Sequence, residues 1–274
     1  MKNFGITTTL KINTEKLDEA QQLAAIMNLP FIPRLQKSIF NLLNENKLEA
    51  IYVVGNREDS IENKEGNLKW HPNMTSFKIR DLHLRKSNPM FEAMKLQVGD
   101  RVLDCTLGLG GDALFISSFV GKDGLVLGLE GDPLIAKLTE RGLKNYFQNE
   151  FFLNDAANRI KVMNIRYEDF LNQIYEGHRA FDVIYFDPMF QTNIESSSAM
   201  KSVKSFAIGD CLDPSILEKA IRLSRKSVVV KMRRDSVLLK TFKFTGVYGR
   251  NRDEDVVYAY YHKSYIKGIC PKFN

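Results

Sequence analysis

Apolar and polar positions change period several times along the 274 residues, and each change marks an element. Threonine alternates with apolar residues from Ile6 to Ile12, the two-residue period of a half-buried strand. Leu17, Ala20, Leu23, Ala24 and Met27 then recur at helical spacing behind Thr14, the expected N-cap. Pro30 and Pro33 break the chain, and a second helix is predicted from about Leu35 to Asn44. Ala50–Val54 reads as a strand. Ser60–Trp70, with Lys64-Glu65-Gly66-Asn67 in its middle, reads as a hairpin. These elements predict an α/β module over residues 1–75 that carries no catalytic motif. Two helices are expected within Met74–Leu96, in a linking segment assigned to 76–98.

From Arg101 onward, strand-like and helix-like stretches alternate. Val102-Leu103 ends in Asp104, a glycine-rich turn follows, and Ala113, Leu114, Ile116 and Phe119 begin a helical pattern. Further strands are predicted at Leu125–Glu130, Ile160–Asn164, Phe181–Asp187 and Ser227–Met232. Helices are predicted at Asp132–Tyr146, Ser197–Phe206 and Pro214–Leu223. Phe244–Tyr248 and Val256–His262 close the series as an antiparallel pair. The alternation predicts a doubly wound α/β fold over 99–274, with a mostly parallel sheet and helices on both faces.

Three features fall at the carboxyl ends of successive strands, where such sheets bind ligands. The first is Asp104 with the loop Gly108–Asp112. The second is Glu130, twenty residues after Gly110, an acceptor-only group suited to two ribose hydroxyls. The third is Asp187-Pro188-Met189-Phe190. Gly108-x-Gly110-x-x-Ala113 with a later acid also fits the dinucleotide fingerprint, so a nicotinamide or flavin enzyme and a methyltransferase stay equal on those grounds. Asp104 shifts the balance. A carboxylate four residues ahead of the first glycine repels a pyrophosphate and suits the α-amino group of a methionine-type cofactor.

Composition adds the sign of the partner. Net charge is +6, and residues 199–274 hold sixteen Lys/Arg against seven Asp/Glu, or +9, leaving −3 for the preceding 198 residues. A basic C-terminal third points to a polyanion such as nucleic acid. Lys201, Lys204, Lys231, Arg233 and Arg234 are the expected phosphate contacts. The three cysteines (Cys105, Cys211, Cys270) form no CxxC pair, so neither a disulfide frame nor a metal site is supported. Met1–Gly5 lacks the apolar core of a signal peptide, and no apolar run approaches a membrane span. A cytoplasmic protein with no membrane partner is expected.

Asp104-x-x-x-Gly108-x-Gly110, Glu130 and Asp187-Pro188-Met189-Phe190 together resemble a class I S-adenosylmethionine-dependent methyltransferase, which implies a seven-stranded Rossmann-like sheet. The segments Val102–Ala113, Val183–Phe190 and Ser227–Arg233 resemble more closely the 16S ribosomal RNA guanine-N2 methyltransferases, small-subunit methyltransferase J. Two positions depart from that pattern. Gly111 stands where an arginine is usual, and Gln191 where a proline is usual. The resemblance implies S-adenosylmethionine as cofactor and small-subunit ribosomal RNA, or its particle, as partner. It implies Gly111 and Asp112 near the methionyl end, Glu130 and Gly131 on the ribose, and Arg166 and Tyr167 flanking the adenine. Asp187 would face the methyl-transfer centre. An exocyclic amine is a poor nucleophile because its lone pair is delocalised into the base. Asp187 and the Pro188 carbonyl are expected to hold its N–H groups, with Phe190 stacking on an unpaired or flipped base. Methylation of a protein amide or a DNA adenine uses a similar corner, and a non-catalytic RNA-binding protein is a further alternative.

Overall fold

The computed structural model describes residues 3–71, 79, 88–145, 151–175, 179–188, 212–249 and 255–263, the side chains of 151 and 152 excepted. Two sheets organise them. The first has four strands in the order β1-β2-β3-β4: β1 (Phe4–Thr8), β2 (Ala50–Val54), β3 (Ser60–Asn63) and β4 (Asn67–Lys69). β1 and β2 run parallel, which requires the crossover that α1 (Thr14–Met27) and α2 (Ile39–Glu45) supply. The expected hairpin is present, with β3 antiparallel to both β2 and β4.

Several boundaries differ from the expected ones. β1 stops at Thr8 because the chain from Thr9 to Lys11 leaves the sheet, held there by Asn56 Nδ2 donating to the Lys11 carbonyl. The cap of α1 is Asn13 rather than Thr14, its side chain accepting from Lys16 N at 2.8 Å. α2 starts four residues late. Leu35 and Gln36 have φ of +41° and +62°, outside any right-handed helix, and Ser38 caps the turn that follows.

The second sheet has seven strands in the order β10-β11-β9-β8-β5-β6-β7. These are β5 (Arg101–Asp104), β6 (Leu125–Glu130), β7 (Ile160–Asn164), β8 (Phe181–Phe186), β9 (Ser224–Arg233), β10 (Gly246–Tyr248) and β11 (Val256–His262). β5 to β9 are parallel, and β11 and β10 close one edge antiparallel. This is the doubly wound, mostly parallel seven-stranded sheet of the Rossmann-like class. The chain winds outward from β5 through β6 to β7, then returns to β8 on the other side. The strand order therefore reverses between β5 and β8, where α/β sheets open a crevice for ligands.

The helices of this unit are α3 (Pro89–Met94), α4 (Gly111–Val120), α5 (Pro133–Asn145), α6 (Phe151–Asn158), α7 (Tyr167–Gln173), α8 (Pro214–Leu223) and α9 (Val237–Thr241). α6, α7 and α9 are absent from the sequence expectation. They span two turns or less, and α7 buries only Leu171, too little to show a period. β9 runs beyond the expected Ser227–Met232 at both ends, and β10 begins two residues late. The helix expected over Ser197–Phe206, and most of the linking segment, fall outside the described residues. No helix among the described residues is long and apolar enough to cross a membrane.

The two sheets share a core. Phe4, Ile6, Tyr52 and Trp70 of the first unit join one apolar cluster with Met90, Leu114, Leu134 and Leu138 of the second. Arg141 on α5 clamps the junction through ion pairs with Glu19 on α1 and with Asp59. Asp59, 8% exposed, also accepts from Tyr52 Oη at 2.8 Å and from Gly55 N at 3.1 Å. Removing the guanidinium leaves Asp59 buried without its counter-charge. Arg141→Ala should therefore lose about 3 kcal/mol of stability in urea unfolding. Trp70 is the only tryptophan in the chain and sits at the junction, so its fluorescence and the far-ultraviolet dichroism should unfold at one midpoint. Two separated midpoints would contradict a shared core.

Candidate active site

The switch-point crevice gathers residues from the ends of β5, β6, β8 and β9. β5 ends at Asp104, and the turn that follows is shaped by Gly108 (φ +53°) and Gly110 (φ +74°). An L side chain at Gly110 would be strained by φ and would also press within 3.2 Å of Thr139 Cγ2. Gly110 caps α4 in a left-handed backbone, so that helix begins at the turn after β5.

The glycine turn is held from three directions. Gly108 N donates to Glu130 Oε2 at 3.0 Å, and the Gly108 carbonyl accepts from Thr139 Oγ1 at 2.7 Å. Trp70, from the other sheet's unit, donates through Nε1 to the Leu109 carbonyl at 2.9 Å. Its ring lies so close to Gly142 on α5 that any Cβ there would overlap it at 2.2 Å. The first unit thus braces the loop against which a cofactor would lie.

Glu130 closes β6 half-buried. Its second oxygen accepts from Asp132 N at 2.8 Å, while Asp132 caps α5 through Leu134 N (2.9 Å) and Ile135 N (3.2 Å). Burial raises the Glu130 carboxyl above its ordinary range, against the backbone N–H groups of Asp132, Gly108 and Gly131 that favour the charged form. With three backbone N–H groups on its roughly four acceptor positions, the carboxylate has room for about one further donor.

At the other side of the crevice stand three carboxylates. Asp104 is 2% exposed and accepts from Thr106 N at 3.0 Å. Burial, with Asp112 and Asp187 nearby, pushes its carboxyl up to about 8, although Thr106 N and Lys231 pull the other way. Asp112, in the first turn of α4, accepts from Tyr185 Oη at 2.9 Å. Asp187 follows β8, and its backbone N donates to Thr106 Oγ1 at 2.6 Å. Thr106 therefore joins Asp104 to Asp187. Lys231 on β9 reaches both remaining acids, at 2.7 Å from Asp187 Oδ2 and 3.3 Å from Asp112 Oδ2. Burial alone would lower the Lys231 ammonium, but Asp187 and Asp112 hold it well above its usual range.

The expected residues are thus brought together in part. Asp104, Gly108, Gly110, Gly111, Asp112, Glu130, Gly131, Asp187 and Pro188 share the crevice ends of β5, β6 and β8. Arg166 precedes α7 and pairs with Glu168 at 3.1 Å, and Tyr167 meets Phe186 edge-on with ring centroids 5.6 Å apart. Lys231 lies within the acidic cluster rather than on a flank reserved for phosphates. Arg233 is paired with Asp235, and Arg234 sits against Gly249. Phe190, Lys201 and Lys204 fall outside the described residues. Thr106, Thr139, Tyr185 and Trp70 had no expected role. Only Thr106, inside the Asp104–Gly108 stretch, carried a local signal.

The family model for SAM-dependent methyltransferases matches residues 44–256. The chain belongs to that family. The methyl donor is therefore S-adenosylmethionine, and the oxidoreductase alternative left open by the glycine spacing is set aside. The methyltransferase is 32% identical over 240 residues to YpiP of Bacillus subtilis, covering 87% of this chain and 92% of that protein. It is 36% identical over 153 residues to ribosomal RNA small subunit methyltransferase J of Pseudomonas paraeruginosa, covering 54% of this chain and 56% of that protein. That second match thus spans little more than half of its relative's length. The fold is similar to the crystal structure of the SAM-dependent methyltransferase NGO1261 from Neisseria gonorrhoeae. The TM-score is 0.63 at 19% identity, over 94% of this chain and 95% of that one.

The residues present suit the cofactor. A Cβ built on Gly108 meets nothing within 4 Å, so the loop faces open space beside the half-buried Glu130 acceptor. Asp104, Asp112 and Asp187 make the same crevice acidic, which suits the cationic methyl donor. No group of three or more His, Cys, Asp or Glu arranged for a metal is found among the described residues.

Two outcomes are expected. Trp70→Phe keeps an aromatic side chain but loses the hydrogen bond to Leu109 and part of the buried indole, so stability should fall by about 1–2 kcal/mol and cofactor affinity by calorimetry a few-fold. For Asp104 the folded carboxyl near 8 lies above the ordinary 3.8, so the folded state binds the extra proton. That contribution is full below about pH 4 and is lost as pH rises toward 8. Asp104→Asn keeps an oxygen for Thr106 N and should flatten the decline in thermal midpoint across this window. An unchanged slope would contradict the assignment.

Proposed function

We propose that this methyltransferase modifies the exocyclic N2 of a guanine in small-subunit ribosomal RNA. The observation that carries the reading is the corner after β8. Asp187 is fixed there by Thr106 through its backbone and by Lys231 through its carboxylate, and the Pro188 carbonyl follows directly. Bound S-adenosylmethionine supplies an electrophilic methyl on a positively charged sulfur. Asp187 and the Pro188 carbonyl accept the two N–H groups of the amine and turn its lone pair toward that methyl. The Asp187 carboxylate also stabilises positive charge developing on nitrogen and takes the proton released. Glu130 sets the position of the donor by holding its ribose, with Gly131 beside it. Arg166 and Tyr167 would border the adenine, and Phe190 would stack on the acceptor base.

Similarity to ribosomal RNA small subunit methyltransferase J and the basic C-terminal third support RNA as the acceptor. Arg233, Arg234, Lys201 and Lys204 remain the proposed phosphate contacts. A cytoplasmic location fits such a substrate.

The test is nucleoside mass spectrometry of ribosomal RNA from a strain lacking the protein. One N2-methylguanosine should disappear and return on complementation, but not with Asp187→Ala. In vitro, Asp187→Ala should keep cofactor binding and lose at least about a hundredfold in turnover. Tritium transfer from the labelled donor into DNA or protein, with none into RNA, would select the other acceptors and overturn this one.

A further inference from the structure

Lys231 is a cation in direct contact with the acidic cluster, and its surroundings point away from RNA. Its side chain is 23% exposed, and two of its three N–H donors are engaged by Asp187 Oδ2 (2.7 Å) and Asp112 Oδ2 (3.3 Å). The same Asp112 oxygen accepts from Tyr185 Oη at 2.9 Å, so Lys231 joins an acid on α4 to the acid after β8. A phosphate could claim the ammonium only by stripping it from the two carboxylates it bridges.

We propose that Lys231 is a positioning residue, holding the Asp187 carboxylate in its amine-accepting orientation and keeping it ionised among its acidic neighbours. The proposal rests on the reading that Asp187 holds the amine. Among the described residues, the groups facing Asp187 include Lys231 from β9, Asp104 from β5, Asp112 from α4 and Tyr185 from β8. Tyr258 on β11 pairs in register with Lys231. All except Lys231 are acids or phenols. Without the ammonium, Asp187 would lose the counter-charge held 2.7 Å from its Oδ2 while Asp104 and Asp112 stay close, and its carboxyl would rise. An amine N–H needs the ionised form as acceptor, so turnover would fail at a higher pH on the acid side. In three dimensions the residue acts through Asp187, not on the substrate.

The test compares wild type, Lys231→Met and Lys231→Arg. The acid limb of kcat against pH is measured at saturating donor and RNA. In parallel, the Asp187 carboxyl carbon is titrated by NMR in the free protein, its signal assigned by loss in Asp187→Asn. In Lys231→Met both the limb and the titration should move up by about one unit or more, and in Lys231→Arg by clearly less. The salt dependence of RNA binding should be the same in Lys231→Met as in wild type, whereas a lost phosphate contact would reduce the slope by about one. Uniform loss of activity at every pH with an unmoved Asp187 titration would overturn the proposal, as would a reduced salt slope. Full RNA turnover by Asp187→Asn would instead remove the reading of Asp187, and the NMR titration would still decide whether Lys231 governs its ionisation.

Discussion

Two backbone N–H groups from different turns meet on one carboxylate: Gly108 N on Glu130 Oε2 and Asp132 N on Glu130 Oε1. The first belongs to the turn after β5, the second to the start of α5 after β6. A single side chain thereby sets the spacing between the glycine loop and the strand beside it. Charged acceptors make the stronger hydrogen bonds, and here the cost of half-burying the carboxylate is offset only in part by those N–H groups. The same loop is braced from outside by Thr139 and Trp70. Its shape is thus fixed before any cofactor arrives, which reduces the ordering that binding must provide.

The second constraint is electrostatic. Asp104, Asp112 and Asp187 converge where β5, α4 and β8 meet, and like charges so placed resist ionising together. The structure distributes the load unequally. Asp104, the most buried, sits near 8, while Lys231 pairs with the other two. An environment of this kind favours a cation in the crevice and gives the carboxylates distinct roles through surroundings rather than residue type. Thr106 is the geometric link, taking a hydrogen bond from Asp187 N and giving one from its own backbone to Asp104.

Much of this was legible in the chain because the relevant signals are local. β2, β6, β7 and β11 have the expected bounds, since runs rich in apolar residues define them. The glycine turn, Glu130 and Asp187 were read from spacing and strand ends. What escaped was either short or non-local. α6, α7 and α9 are too brief to show a helical period, and the Leu35–Gln36 turn uses a left-handed backbone that its residue types do not announce. Lys231 read as one more basic residue in a basic third. Its partners lie 44 and 119 positions away and meet only once β9 pairs with β8. Trp70 likewise reaches Leu109 across 39 positions and between two sheets, a contact no sequence period encodes.

The most direct check of this account replaces Glu130 by Gln and measures S-adenosylmethionine binding by titration calorimetry. An amide keeps the size but offers one donor nitrogen where two backbone N–H groups need acceptors, so one of them loses its partner. The account predicts affinity weaker by roughly ten- to a hundredfold, the cost of about 1.5–3 kcal/mol for hydrogen bonds to a charged group. Affinity unchanged from wild type, in a variant that melts at the same temperature, would contradict it.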